Sequence, residues 1–174
     1  MAVGTNHFEA AEWLRATNNR GYGPLPIPQP RDAEIEALLR SWMALDESTR
    51  QAAAQGIAEE QRFTLLAYSE RMASLAVRKR NQELIRLGLL ALGIDGWRGD
   101  WRDNAALISL HYDAAQRVGA DPASLFETTA GVLSPKAANA LRSFLRRAPA
   151  DKSLEAMGYE AGTDADGFRY KRTW

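Results

Sequence analysis

Apolar residues recur at helical spacing along most of the chain. After Asp32, which is a favourable N-cap, one helical face collects Ile35, Leu38, Leu39, Trp42 and Leu45. A capping-box pattern beginning at Ser48 predicts that another helix follows. Further helices are predicted over 101–119, 122–130 and 135–147, the last two opened by Asp-Pro and Ser-Pro pairs. The pattern is typical of an all-α protein.

Two central segments are apolar around most of the helix circumference. Residues 63–77 leave only a narrow polar strip, and in residues 82–94 Arg86 is the only charge after the first turn. A helix that is apolar nearly all round must be covered on several sides. These two helices are therefore predicted to form the core.

The C-terminal segment changes from helical to alternating spacing. Phe168, Tyr170 and Trp174 alternate with polar residues, and a Gly-rich turn at 162–167 separates them from a first arm near 158–161. A two-stranded hairpin is marginal alone, so its aromatic face must be covered. We expect it to pack within the chain near the proline-rich arm or helix 135–147, with a homodimer contact as the alternative.

These patterns divide the chain into three parts. Residues 1–30 hold a predicted helix and an arm with proline at every second position, residues 31–147 form the helical core domain, and residues 148–174 form an extension with the hairpin. The fold class expected is all-α, with several antiparallel helices and a short C-terminal β-hairpin.

Composition excludes several classes of protein. The chain has no cysteine, which rules out disulfide scaffolds, thiolate zinc sites and cysteine nucleophiles. With only two histidines, neither a metal site nor a cofactor is expected. No apolar run is long enough to span a membrane, and the first residues resemble no signal peptide, so a cytoplasmic location is expected. Arginine outnumbers lysine 18 to 4, which is typical of GC-rich bacterial genomes.

His111 is the first candidate for chemistry, because Asp113 is close in sequence. The two side chains nevertheless point about 160° apart on a helix, so they do not form a dyad. His111 lies in the middle of an apolar face, which favours a core histidine bonded to a backbone carbonyl or a buried acid. A catalytic base is the alternative if the helix lines a cleft.

Arginine and tryptophan supply the other candidates. The loop between helices contains Trp97, Arg98, Trp101 and Arg102, residue types that are enriched at binding hot spots, although packing of Trp97 on the core explains them as well. Arg142 and Arg146 lie on the outer face of helix 135–147 and could contact phosphates, but a solvated basic face is the default interpretation.

Two stretches resemble HEAT-type helical repeats. Ala76-Val77-Arg78 followed by Leu89-Leu90-Ala91-Leu92-Gly93 is similar to the repeat's Val-Arg…Ala-Leu…Leu-Gly pattern, and residues 100–107 give a second match. The resemblance implies a stack of antiparallel helices used as a binding surface.

We therefore expect a non-catalytic protein-binding or regulatory module of a bacterial cytosol, monomeric or homodimeric, with a protein partner. The alternatives are a nucleic-acid-associated HEAT-like protein, although the net charge of zero does not favour it, and an enzyme using His111 with a buried acid.

Overall fold

The computed structural model describes residues 31–55, 62–96, 105–165 and 167–173. These ranges contain seven α-helices and one antiparallel hairpin, which confirms the predicted all-α fold with a C-terminal hairpin. The helices are α1 (Asp32–Met43), α2 (Glu47–Gln55), α3 (Arg62–Lys79), α4 (Gln82–Gly96), α5 (Ala105–Arg117), α6 (Pro122–Ala130) and α7 (Pro135–Leu145). A 3-10 turn at Pro149–Lys152 precedes strands β1 (Tyr159–Asp164) and β2 (Gly167–Arg172). The helix and arm predicted within 1–30 lie outside the described residues.

Helix α4 is the centre of the helical body. It contacts each of the other six described helices. Between Leu84 and Leu92 every residue except Arg86 is buried. This confirms the prediction from its apolar circumference, because a helix without a polar face can exclude water only when it is surrounded.

Helix α3 is the main neighbour of α4 and completes the core. The chain reverses between them at Arg80, whose φ of 50° lies in the left-handed region, and Asn81 Oδ1 accepts a hydrogen bond from the Glu83 N–H at 3.0 Å. Leu75 and Leu89, one from each helix, are both buried. The predicted core is therefore where the sequence pattern placed it.

The first turns of the helices show which of the residues predicted as N-caps cap a helix. Ser134 Oγ accepts from the Ala137 N–H at 3.1 Å, as predicted for the start of α7. The capping box predicted at Ser48 is wrong, because α2 already begins at Glu47 and Asp46 Oδ1 accepts from the Thr49 N–H at 2.7 Å. Asp32 is also not the N-cap of α1. It is the first residue of the helix, and its carboxylate pairs with arginines of α3 instead.

The hairpin is a regular two-stranded ladder. Tyr159 pairs with Arg172, Ala161 with Tyr170, Thr163 with Phe168, and Asp164 with Gly167. Gly167 has a φ of 111°, which favours glycine, and a Cβ there would lie 3.1 Å from Arg78 Cδ. The hairpin turn is therefore both tightly bent and pressed against α3.

Candidate functional site

The structure does not gather the predicted site residues into one place. Trp97, Arg98, Trp101 and Arg102 lie outside the described residues. Of the remaining three, His111 is enclosed in the core, whereas Arg146 is exposed at the end of α7. Arg142, also on α7, is bound by Glu127 of α6, with Arg142 Nη2 2.8 Å from Glu127 Oε1. The predicted candidates therefore form no common site among the described residues.

His111 has the environment of a core residue. It is fully buried, its Nδ1–H donates to the Leu107 carbonyl at 2.7 Å, and its Nε2 lies 3.4 Å from Ser69 Oγ. Burial lowers the pKa of His111 to about 4, because the charged form is desolvated; hydrogen bonds to backbone oxygens offset only part of this effect. A Cβ at Gly88 would lie 2.2 Å from Nε2, so α4 closes directly over the ring. This geometry fits the core interpretation and leaves no opening for a substrate.

Asp113 confirms that no His–Asp dyad exists. Its Oδ2 accepts from Arg117 Nε at 2.6 Å and from the Tyr170 hydroxyl at 2.7 Å, on the opposite side of α5 from the buried imidazole. Burial and the Asp113 carboxylate together raise the pKa of Tyr170 well above its usual value. The carboxylate therefore serves to hold the hairpin.

A polar stripe on α3 forms hydrogen bonds with the outer edge of β2. Glu70, Ser74 and Arg78 are four residues apart, so they share one face of the helix. Ser74 Oγ accepts from the Tyr170 N–H at 3.2 Å, and Arg78 Nη1 donates to the Phe168 carbonyl at 3.1 Å. At the far end of the stripe the Tyr159 hydroxyl donates to Glu70 Oε2 at 2.9 Å. The stripe thus supplies hydrogen-bond partners to both strands of the hairpin.

The aromatic face of the hairpin packs on α5. The Arg117 guanidinium lies 5.1 Å from the centre of the Phe168 ring, and Phe168 and Tyr170 meet edge to face at 4.8 Å. The hairpin therefore docks within the chain, as predicted, and it packs on α3 and α5. Of the two predicted neighbours, helix 135–147 is not its main support, and the proline-rich arm lies outside the described residues.

A small cleft lies where α1, α3 and β2 meet. Its volume is about 240 Å³, and its charged lining residues are Asp32, Glu70, Arg71, Arg78 and Arg169. Arg71 and Arg78 both bind Asp32, at 2.8 and 2.9 Å, and Arg169 binds Asp164 at 3.2 Å. The arginines that line this cleft are already paired with carboxylates. They therefore form a structural ion-pair network.

The outer edge of β1 is open. Since the Tyr170 N–H and the Phe168 carbonyl bind α3, the backbone groups of these residues point away from β1. In an antiparallel ladder the residues directly opposite, Ala161 and Thr163, then point their own N–H and carbonyl groups away from β2. Both residues are exposed, and no described residue hydrogen-bonds to these groups. Four backbone groups therefore face solvent in one row.

Both ends of this open edge are fixed. At its start the Tyr159 N–H donates to the Leu154 carbonyl at 2.9 Å, and at its end the chain turns back into β2 after Asp164. The sequence predicted the hairpin but gave no signal for which edge would be free, because that depends on which strand α3 covers.

A second cleft adjoins the inner face of the hairpin. It has a volume of about 300 Å³, and its lining includes Asp113, Arg117 and Leu154. These three residues contact the hairpin at Tyr170, Phe168 and Tyr159 respectively. The cleft is therefore lined by residues that also anchor the hairpin.

The described residues contain neither a group of three or more potential metal ligands nor a helix that is long and apolar enough to cross a membrane. No protein-family model matches the chain, and no significant match was found to a curated protein or to a solved structure.

Proposed function

We propose that this protein is a protein-binding module that captures an extended segment of a partner along the outer edge of β1. The observation that carries the proposal is the row of backbone groups at Ala161 and Thr163, which are exposed and unpaired among the described residues. Such a row is a template for another strand. Strand addition derives affinity from main-chain hydrogen bonds and specificity from alternate side chains.

The anchoring of the hairpin supports this role. Contacts from Ser74, Arg78 and Asp113 hold β2 against two helices, so β1 is presented by a fixed support. A binding strand that is already ordered loses little conformational entropy when the partner arrives. This compensates for the short length of the edge.

Two alternatives have less support. Full burial of His111 disfavours an enzyme that uses its imidazole, and the Arg142–Glu127 pair reduces the charge that a nucleic acid would meet on α7. The proposal does not depend on the resemblance to HEAT-type repeats, since the surface it uses is the hairpin. A bacterial cytoplasm as the place of action rests on the sequence alone.

The test is a proline substitution on the open edge. Ala161→Pro removes an N–H that the hairpin itself does not use and places a ring where the partner strand would lie. Heptapeptides selected from a random display library on the natural protein are expected to bind the variant about tenfold more weakly, the equivalent of one lost hydrogen bond with its steric effect.

Ala161→Val is the matched control, because valine suits a strand and keeps the N–H. It should retain peptide binding, and the amides of Ala161 and Thr163 should exchange more slowly with solvent in the complex. Selected peptides that bind Ala161→Pro as well as the natural protein, or that protect amides only elsewhere, would refute the proposal.

A further inference from the structure

The proline-rich arm, residues 24–30, has an uneven distribution of backbone hydrogen-bond donors. Prolines occupy positions 24, 26, 28 and 30, and a proline has no backbone N–H. The residue before each proline is restricted to extended geometry, and in an extended chain alternate residues point their backbone groups to the same side. One edge of an extended arm therefore carries the N–H groups of Leu25, Ile27 and Gln29, whereas the other edge carries no donor.

The described part of the chain begins next to the hairpin. The backbone of Arg31 is extended, with a φ of −73° and a ψ of 157°. Asp32 follows it and binds Arg78, which also donates to the Phe168 carbonyl of β2. A strand added to β1 lies two strand spacings from β2, which is about 10 Å. The five residue steps from Ile27 to Asp32 span about 17 Å when extended, so the arm is long enough to reach this position.

We infer that the arm adds to the open edge of β1 as an antiparallel third strand, with Leu25 opposite Thr163 and Ile27 opposite Ala161. Ala161 and Thr163 are exposed, and their outward N–H and carbonyl groups bind no described residue. At alternate positions of an antiparallel ladder, two directly opposite residues exchange both of their hydrogen bonds. Two such pairs use all four open backbone groups of β1.

The side chains fit the same register. Pro26 lies opposite Gly162, between the two bonded pairs, where the strands approach most closely and a glycine leaves room for the proline ring. Because directly opposite residues share a face, Leu25 and Ile27 lie on the same side of the sheet as the aromatic face of the hairpin. The arm thus places its apolar side chains on the helix-facing side and its prolines on the outer side.

A docked arm regulates the edge that the proposed function uses, and this regulatory role rests on that function. Only prolines lie along the outer edge of the docked arm, so no further strand can be added there. A partner segment must displace the arm, and it binds only the fraction of molecules in which the edge is open. The arm is therefore an internal competitor that sets the apparent affinity for the partner.

Ile27→Pro tests the pairing, because it removes the N–H opposite Ala161 while the arm stays extended. In the whole chain without any peptide, the amides of Ala161 and Thr163 are expected to exchange with solvent about tenfold faster in this variant than in the natural protein. This factor corresponds to one lost hydrogen bond with its steric effect. Leu25→Pro removes the other donor and should give the same increase.

Ile27→Val is the matched control, because it keeps both the N–H and a β-branched side chain. It should exchange at the rate of the natural protein, and the amides of α4 should exchange at one rate in all of these proteins. Equal exchange at Ala161 and Thr163 in the natural protein and the proline variants would overturn the inference. An equal acceleration in α4 would also overturn it, since the proline would then loosen the whole fold.

Peptide binding gives an independent measure of the same competition. If the arm closes the edge in about nine molecules of ten, its release raises the apparent affinity of the selected heptapeptides about tenfold. Ile27→Pro should therefore bind these peptides about tenfold more tightly than the natural protein, and Ile27→Val should bind them with unchanged affinity. The gain in affinity must match the gain in exchange rate, because both measure the fraction of molecules with an open edge.

The two proposals fail in different ways. If Ile27→Pro accelerates exchange at Ala161 and Thr163 but no peptide binds either protein, the arm docks and partner capture is wrong. If Ala161→Pro abolishes peptide binding while Ile27→Pro changes neither exchange nor affinity, partner capture stands and docking of the arm is wrong. An exchange difference that disappears on dilution would mean that the arm of a second copy occupies the edge, which would also overturn the inference.

Discussion

Acid should destabilise the protein through His111. Its pKa is lowered from 6.5 to about 4 in the folded state, so the unfolded chain takes up a proton at a pH where the folded chain does not. The contribution of neutral His111 to the free energy of unfolding is therefore complete above about pH 6.5. It decreases as the pH falls and levels off below about pH 4. At about 1.4 kcal/mol per unit of pKa shift, the total loss is about 3 kcal/mol.

The assay is urea unfolding of the natural protein and of His111→Asn at a series of pH values. Asparagine offers an amide N–H toward the Leu107 carbonyl but does not titrate in this range, so carboxylate contributions cancel in the difference between the two curves. We expect the natural protein to lose about 3 kcal/mol more than the variant between about pH 7 and pH 4.

His7→Gln is the control, since His7 is the chain's only other histidine. It should follow the natural protein, and a proton NMR titration of this variant should show no titration of the His111 ring near pH 6.5. Parallel stability curves for the natural protein and His111→Asn, or a ring that titrates near its ordinary pKa, would refute the burial argument.

Two further substitutions test the core and the hairpin contact. Leu89→Ala removes a side chain from the centre of α4 and should lower the free energy of unfolding by about 2–5 kcal/mol in urea titrations; a loss below about 1 kcal/mol would place the core elsewhere. Tyr170→Phe removes the hydrogen bond to Asp113 and should cost about 1–2 kcal/mol at neutral pH. Because the pKa of folded Tyr170 is raised, the contribution of its hydroxyl to the free energy of unfolding is complete below about pH 10 and is lost at higher pH. If Tyr170→Phe loses as much stability in alkali as the natural protein does, the assignment is contradicted.

The helical body could be predicted because its signals are local. The apolar circumference of 82–94 indicates a surrounded helix whatever its neighbours are, and Pro135 after Ser134 marks a helix start by its own geometry. The position of His111 on its helix face was sufficient to indicate burial. In each case the deciding residues lie within a few turns of one another.

The docking of the hairpin could not be predicted, because its contacts are distant in sequence and polar. Tyr170 bonds to Asp113 across 57 positions and to Ser74 across 96, and neither partner stands out in the hydrophobic pattern. Asp32 has the ordinary features of an N-cap, and only the approach of Arg71 and Arg78 gives it a different role. The open edge of β1 follows from the same long-range packing.

The polar stripe on α3 also bears on how the protein is made. The ribosome synthesises the helices before the hairpin, so Glu70, Ser74 and Arg78 emerge before the strands that will cover them. An apolar surface that stayed exposed until the hairpin emerged would bind other nascent chains. These three polar side chains instead remain hydrated until their partners emerge. This face of the nascent chain is therefore protected from aggregation until the hairpin emerges.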